Sequence, residues 1–144
     1  MPKSTVNVLL VEDDDVDVES MQRAFAKFQL TNPITIACDG YDALNILRGD
    51  ASCECLPQPY IILLDINMPR MNGIEFLHAL RQDAKLKSSV VFVLTTSDGQ
   101  DDMQAAYSEK VAGYFLKKEG GQEFDVLPEL IRSYCQMAEW PQAS

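Results

Sequence analysis

Long apolar runs are missing from this sequence, and basic residues are few. No segment approaches the roughly 20 apolar residues that a helix needs to cross a bilayer, and the short apolar run from Val6 leads into acidic residues rather than a signal-peptide pattern. Lysine and arginine number 12 against 22 acidic residues, which gives a formal net charge of −10. Nucleic acids and anionic membranes both attract positive charge. We therefore expect a cytoplasmic chain that binds neither nucleic acid nor membrane.

Histidine and suitably paired cysteines are too scarce for a structural zinc site. The chain has four cysteines, and its one histidine is His78. Cys53 and Cys55 lie close together, but no second ligand pair follows at the spacing that zinc sites use. We therefore expect reduced thiols, as is usual in the cytosol.

Five short apolar runs alternate with amphipathic segments. The runs lie at 6–11, 34–38, 60–64, 90–94 and 113–116, and their continuous apolar character suits strands buried on both faces of a parallel sheet. The predicted helices lie at 17–28, at 42–48, from about 73, around 103–107 and around 127–134, with Pro128 in the first turn of the last. This order predicts an α/β fold: a doubly wound, five-stranded parallel sheet with five helices.

The length of the chain fits a single domain covering residues 1–144. Its core is predicted at about 6–138, and 139–144 is predicted to be a frayed tail. The stretch 49–59 is a predicted loop that is longer than usual for a connection of this kind. Only about ten residues follow the last helix, too few to fold alone, so we expect no separate output domain.

Polar side chains follow four of the five apolar runs. Ligands of doubly wound sheets bind outside the carboxyl ends of the strands, so these side chains are expected to converge at one edge. They are Glu12, Asp13 and Asp14 after the first run, Asp65 and Asn67 after the third, Thr95, Thr96 and Ser97 after the fourth, and Lys117 and Lys118 after the fifth.

The chemistry of this set favours phosphoryl transfer. Crowded carboxylates repel one another and need a cation, and hard oxygen ligands suit Mg²⁺. A metal-neutralised aspartate such as Asp65 can attack phosphorus, while the Thr95 hydroxyl and the Lys117 ammonium would stabilise charge on the transferred group. Each residue alone also has an ordinary interpretation, with Asp65 as a helix cap and Lys117 as a surface lysine. Their joint appearance at four strand ends makes those separate interpretations unlikely together.

Four motifs extend this pattern over nearly the whole chain, from about 6 to 134. They are LVEDD at 10–14, LLDINMPRMNG at 63–73, LTTS at 94–97 and GYFLK at 113–117. Together they resemble the receiver domain of bacterial two-component response regulators, the CheY-like type. The resemblance implies a flavodoxin-like sheet with strand order 2-1-3-4-5. It also implies a phosphorelay switch rather than an enzyme, with only autocatalytic phosphotransfer and slow self-dephosphorylation.

Carried over by position, the resemblance assigns the phosphoacceptor and the metal ligands. Asp65 would take the phosphoryl group from a phosphohistidine on a partner sensor histidine kinase. Mg²⁺ would be surrounded by Glu12, Asp13, Asp65 and the backbone carbonyl of Asn67. Asp13 would be the direct carboxylate ligand, and Glu12 would act through water.

The resemblance also assigns the residues that respond to phosphorylation. Lys117 would pair with the phosphoryl oxygens, Thr95 would move to bond them, and Tyr114 would turn from an outward to an inward rotamer. This would remodel the face of the fourth helix, fifth strand and fifth helix for an unknown downstream protein. Asn67 and Ser97 correspond to positions that tune hydrolysis in the family.

Three features narrow the subgroup: the LTTS string, the long loop before Tyr60, and Lys118. The family usually has proline after the active-site lysine, so Lys118 is a departure that predicts a trans loop or stored strain there. The features resemble single-domain regulators that accompany bacterial phytochromes, which implies a phytochrome kinase and a homodimer. Candidates for the dimer contact are Phe115, Leu116, Tyr134 and Trp140, although core positions suit most of them.

Two other functions fit parts of the pattern. A haloacid-dehalogenase-type phosphatase also uses an aspartate nucleophile, but it needs an acid two residues later, where this chain has Asn67. A pseudo-receiver would bind partners without being phosphorylated. The complete set of Asp13, Asp65, Thr95 and Lys117 argues against it, and phosphorylation of Asp65 discriminates the two.

Overall fold

A computed structural model describes residues 5–49, 56–117 and 123–140 of the chain. Strands and helices alternate along these residues. The strands are β1 (Asn7–Val11), β2 (Ile34–Ala37), β3 (Tyr60–Leu64), β4 (Val90–Thr95) and β5 (Gly113–Leu116). The helices are α1 (Asp15–Lys27), α2 (Gly40–Arg48), α3 (Gly73–Gln82), α4 (Gln100–Ser108) and α5 (Glu123–Met137).

The strands form one parallel sheet in the order β2-β1-β3-β4-β5, which confirms the predicted fold and strand order. Successive side chains of a strand point to opposite faces, and both faces are covered. Leu9, Ile62 and Val91 belong to the core beneath α2, α3 and α4. Their neighbours Leu10 and Phe92 belong to the core beneath α1 and α5. The buried sheet thus leaves its strand ends as the place for polar chemistry.

The helix starts differ from the prediction because side chains cap them earlier. Asp14 accepts from the N–H groups of Val16 and Asp17, so α1 begins at Asp15 rather than at 17. Asp39 accepts from the N–H of Asp42, and α2 begins at Gly40 rather than at 42. Such caps satisfy backbone donors that the first turn leaves unpaired.

Two other boundaries were predicted wrongly. The N–H of Cys38 donates to the carboxylate of Asp42, so β2 ends one residue early, at Ala37. The last helix begins at Glu123, which places Pro128 inside α5 rather than in its first turn.

Trp140 is held by packing, although the sequence analysis assigned it to a frayed tail. Its ring lies 5.9 Å from that of Tyr134, in an edge-to-face arrangement that aromatic pairs favour. Both rings, with Phe115, pack against the core beneath α1 and α5, so three of the four candidates for a dimer contact serve the core. Leu116 is the exposed one, and the homodimer stays a prediction.

Arg81 ties together the ends of the strands that lie farthest from the polar edge. Its guanidinium donates to the carbonyls of Lys87 and Ser89, just before β4, at 2.8 Å each. It also donates to those of Glu109 and Lys110, just before β5, at 2.6 and 3.0 Å. One side chain at the end of α3 therefore fixes the starts of two neighbouring strands.

Among the described residues, no helix has both the length and the apolar character that crossing a bilayer requires.

Candidate functional site

The predicted polar residues converge at the carboxyl ends of the strands. Backbone hydrogen bonds extend the sheet by one residue at three places and so fix their positions. Glu12 donates to the carbonyl of Ala37 at 2.9 Å, Asp65 to that of Val11 at 3.0 Å, and Lys117 to that of Thr95 at 2.8 Å. The side chains of these residues therefore start from a rigid edge rather than from free loops.

Lys117 lies at the centre of this edge. Its ammonium is 2.7 Å from a carboxylate oxygen of Glu12, 2.7 Å from one of Asp17, and 3.6 Å from Oδ2 of Asp65. The Lys117 side chain is only 7% exposed. A buried charge of this kind persists only when it is paired, and here three carboxylates supply the pairing.

The charges of this group have perturbed proton affinities. Burial raises the pKa of Glu12 from 4.5 to about 7, against the lowering effect of its hydrogen bond with Lys117. Burial also acts to lower the pKa of Lys117, but the bonds to Asp17 and Glu12 outweigh it and raise that pKa above its ordinary value. The ammonium therefore keeps its proton, while a negative charge on Glu12 is costly to maintain.

Three carboxylates at this edge fit a divalent cation. Glu12, Asp13 and Asp65 each offer an oxygen, and these oxygens lie within 4.8 Å of one another. Hard carboxylate oxygens are the ligands that Mg²⁺ takes in proteins, and a cation would offset the cost of the buried charge on Glu12. Asp14 is engaged otherwise, since its side chain caps α1.

Asp65 is itself buried, with 7% of its surface exposed, and its two oxygens have different neighbours. Oδ1 accepts from the backbone N–H of Asn67 at 3.2 Å, and Oδ2 faces Lys117. The side chain of Asn67 turns away and donates to the hydroxyl of Thr96 at 3.4 Å. The loop after β3 thus orients the carboxylate of Asp65 with a backbone donor.

Gly73 lets α3 approach this loop closely. A Cβ atom at Gly73 would lie 2.6 Å from Cα of Ile66 and 2.7 Å from the carbonyl oxygen of Asp65. The N–H of Gly73 donates to the carbonyl of Ile66 at 2.9 Å. Only glycine leaves room for this packing directly behind Asp65.

A chain of hydrogen bonds leads from the site towards the outer surface. Thr95 is fully buried, and its hydroxyl oxygen accepts from the N–H of Ser97 at 3.3 Å. The carbonyl of Ser97 accepts from the hydroxyl of Tyr114 at 2.8 Å. The hydroxyl of Ser97 donates to Asp102 in α4. The ring of Tyr114 lies 6.5 Å from that of Tyr107, which is half exposed. Displacement of Thr95 would therefore reach both β5 and α4.

Asp17 is a member of the site that the sequence motifs do not predict. The sequence predicts it only as the start of an amphipathic helix, yet its carboxylate contacts Lys117. Asp17 comes only four positions after Asp13 and lies in the first turn of α1, close behind the acidic residues that follow β1. That spacing was the available signal.

Asp39 and Arg70 form a second ion pair beside the site that the sequence did not predict. The buried carboxylate of Asp39 lies 3.0 Å from the guanidinium of Arg70, whose side chain is mostly exposed. The pair connects the loop after β2 with the loop that follows Asp65. Lys118, where the sequence departs from the family pattern, lies outside the described residues, as do Cys53 and Cys55.

Comparison with protein families gives one match over most of the chain. The model of the response regulator receiver domain matches residues 8–127. The chain is also 33% identical over 127 residues to the response regulator Rcp1 of Synechocystis sp., covering 88% of this chain and 86% of Rcp1.

Solved structures with the same architecture include two response regulators. The phosphorylated cyanobacterial phytochrome response regulator RcpA has a TM-score of 0.86 and 28% identity, covering 96% of this chain and all of that one. The Mn²⁺-bound form of Rcp1 has a TM-score of 0.83 and 31% identity, covering 95% of this chain and 99% of that one. Both likenesses extend over almost the full length of each chain.

Proposed function

Since the chain belongs to the response regulator receiver family of two-component signalling proteins, we propose that Asp65 accepts a phosphoryl group from a histidine kinase. The observation that carries the proposal is the placement of Asp65: a buried carboxylate at the end of β3, 3.6 Å from the ammonium of Lys117 and grouped with Glu12 and Asp13. In the transfer, an oxygen of Asp65 forms a bond to phosphorus as the phosphorus–nitrogen bond of the phosphohistidine breaks.

Glu12, Asp13 and Asp65 would hold Mg²⁺, and the carbonyl of Asn67 is the predicted backbone ligand. When bound, the cation neutralises charge on the carboxylates and on the phosphoryl oxygens. The likeness to the Mn²⁺-bound form of Rcp1 supports the binding of a divalent cation.

The chain's own side chains would supply the remaining stabilisation. Lys117 would bring a fixed positive charge to the transferred group, whose equatorial oxygens carry the developing charge. Thr95 would donate its hydroxyl to one of those oxygens. The backbone N–H of Asn67 already holds one oxygen of Asp65, which leaves the other directed towards Lys117.

The output of the switch would follow the hydrogen bonds from Thr95. A movement of Thr95 towards the phosphoryl group would draw Ser97 with it, and Ser97 is bonded to Tyr114 and Asp102. Tyr114, which packs against the core beneath α2, α3 and α4, would follow this movement, and the face that α4, β5 and α5 offer to a downstream protein would change. Asn67 and Ser97 would tune the lifetime of the phosphoryl group.

The protein would act as a switch and not as an enzyme with turnover. Asn67 stands where a phosphatase with an aspartate nucleophile needs its general acid, and an amide cannot transfer protons. The likeness to the phytochrome response regulator RcpA supports a bacterial phytochrome as the kinase.

Incubation with acetyl phosphate and Mg²⁺ tests the proposal directly. We expect one phosphoryl adduct in the intact-protein mass, lost on standing because acyl phosphates hydrolyse, and absent when EDTA removes the cation. A folded protein that forms no adduct would overturn the phosphoacceptor function and favour a pseudo-receiver that only binds partners.

Replacing Asp13 by Ala is expected to weaken Mg²⁺ binding by about tenfold or more, because it removes one of few carboxylate ligands. Calorimetric titration of the purified chain with Mg²⁺ measures the affinity. Asp15→Ala is the matched control, since Asp15 is an exposed carboxylate in the first turn of α1. Equal affinities in the two variants would remove Asp13 from the ligand set.

A further inference from the structure

Asp17 contacts Lys117, although Asp17 lies outside the four family motifs. The distance from its Oδ2 to the ammonium is 2.7 Å, the same as that from Glu12. Asp65, to which Lys117 must turn during phosphoryl transfer, is farther away at 3.6 Å. In this state the lysine is therefore bound more closely to Asp17 than to the phosphoacceptor.

The contact with Asp17 occupies one of the hydrogen-bond donors of Lys117. An ammonium group has three N–H donors, and Glu12 and Asp17 accept from two of them. A phosphoryl group on Asp65 brings further oxygens that compete for the same ammonium. The third N–H is left for a phosphoryl oxygen, but Oδ2 of Asp65 lies 3.6 Å away. The ammonium would therefore move towards Asp65, and this movement would loosen its bond to one of its present partners.

Asp17 is the partner that can give way. Its side chain is 27% exposed, so a released carboxylate can be solvated by water. Glu12 is only 4% exposed, and its other oxygen accepts from the backbone N–H of Asp14 at 3.1 Å. Releasing Glu12 would take a hydrogen-bond donor from a buried carboxylate that water cannot readily solvate, which is the costlier change.

We propose that Asp17 is a positioning residue that holds Lys117 back from Asp65 in the unphosphorylated state and so sets how readily the switch accepts a phosphoryl group. The inference rests on the proposed function of Asp65. With acetyl phosphate, the new bond joins phosphorus to an oxygen of Asp65, the bond from phosphorus to the acetyl oxygen breaks, and acetate leaves with the electron pair. Lys117 keeps its protons throughout and exchanges Asp17 for a phosphoryl oxygen.

The negative charge of Asp17 should also slow phosphoryl uptake, as its contact with Lys117 does. The phosphoryl donor is an anion, and another carboxylate near its path repels it. Replacing Asp17 by a neutral residue should both free Lys117 and reduce this repulsion. Exposed ion pairs contribute little, but this pair has a buried member, so we expect uptake to change by about three- to tenfold.

The initial rate of adduct formation with acetyl phosphate and Mg²⁺ tests the proposal when Asp17→Asn is compared with Asp15→Asn. Both changes remove one negative charge from the first turn of α1. Only Asp17→Asn removes an ion-pair partner of Lys117, because those partners among the described residues are Glu12, Asp17 and Asp65. We expect Asp17→Asn to take up the phosphoryl group about three to ten times faster than the wild type. The Asp15→Asn rate should stay close to the wild-type rate.

Asp17→Glu and thermal unfolding separate positioning from a structural role. Glutamate has a longer side chain whose carboxylate can still reach Lys117. The rate of phosphoryl uptake by Asp17→Glu should therefore return towards that of the wild type. A residue with only a structural role would lower the unfolding temperature when replaced and would not make uptake faster. Equal rates in Asp17→Asn and Asp15→Asn, or a slower rate in Asp17→Asn, would overturn the inference and leave the proposed function standing. A wild-type chain that forms no adduct would overturn both.

Discussion

Replacing Asp65 by Asn is expected to abolish the phosphoryl adduct while leaving the fold intact. The amide lacks the nucleophilic carboxylate oxygen that forms the bond to phosphorus. Its carbonyl oxygen can still accept from the N–H of Asn67, which holds Oδ1 of Asp65 at 3.2 Å. Lys117 keeps Glu12 and Asp17 as partners at 2.7 Å. Intact-protein mass after incubation with acetyl phosphate and Mg²⁺ gives the result.

The stability of this variant should equal or exceed that of the wild type. Asp65 shares its edge of the sheet with Glu12 and Asp13, and like charges this close destabilise one another. Urea unfolding measures the difference. Asp98→Asn is the control, because Asp98 is an exposed aspartate on the loop after β4 and its replacement should leave the adduct in place. Adduct formation by Asp65→Asn at the wild-type rate would show that another residue is the acceptor.

Replacing Gly73 by Ala is expected to lower the free energy of unfolding by about 1–3 kcal/mol or more. The new Cβ would lie 2.6 Å from Cα of Ile66 and 2.7 Å from the carbonyl oxygen of Asp65, and both are backbone atoms that cannot turn aside. Either α3 or the loop after β3 must move. Because that loop orients the carboxylate of Asp65, phosphoryl uptake should fall together with stability.

Gly99→Ala is the matched control for this change. A Cβ at Gly99 would have Ser97 Oγ as its nearest neighbour, 3.9 Å away, so it meets no steric obstacle. Gly99 is the N-cap of α4, where alanine is a poorer cap than glycine, but alanine also reduces the entropy of the unfolded chain. These effects offset each other, so stability and uptake should both stay near the wild-type values. A Gly73→Ala chain as stable as Gly99→Ala would show that the close approach of α3 is not required.

The fold and the family could be predicted from the sequence because both depend on strong local patterns. The five apolar runs coincide with the five strands, and the strand order implied by the resemblance is the one observed. Glu12, Asp65 and Lys117 follow strands directly, so the geometry of a parallel sheet alone brings them to one edge. Their convergence needed no knowledge of how the helices pack.

The contacts that the sequence did not reveal depend on the angular position of helices and on distant loops. Asp17 contacts Lys117, 100 positions away, because of the way α1 is rotated on the sheet. Arg81 donates to backbone carbonyls. Every residue has such a carbonyl, so the sequence does not indicate these partners. Trp140 was assigned to a tail because chain ends usually fray, yet its ring packs on Tyr134.

Arg81 gives the sheet one clamped end. Its guanidinium fixes the starts of β4 and β5 through four carbonyls, while Thr95 and Lys117 lie at the opposite ends of the same strands. This pair of strands is therefore fixed at one end, and a force at Thr95 acts on the other end. A pair of strands held in this way moves most where the force acts and least where it is fixed. A new bond from Thr95 to a phosphoryl group would therefore draw this end of the strands towards Asp65, and α4 would follow through Ser97 and Asp102. The starts of the strands would keep their place in the core.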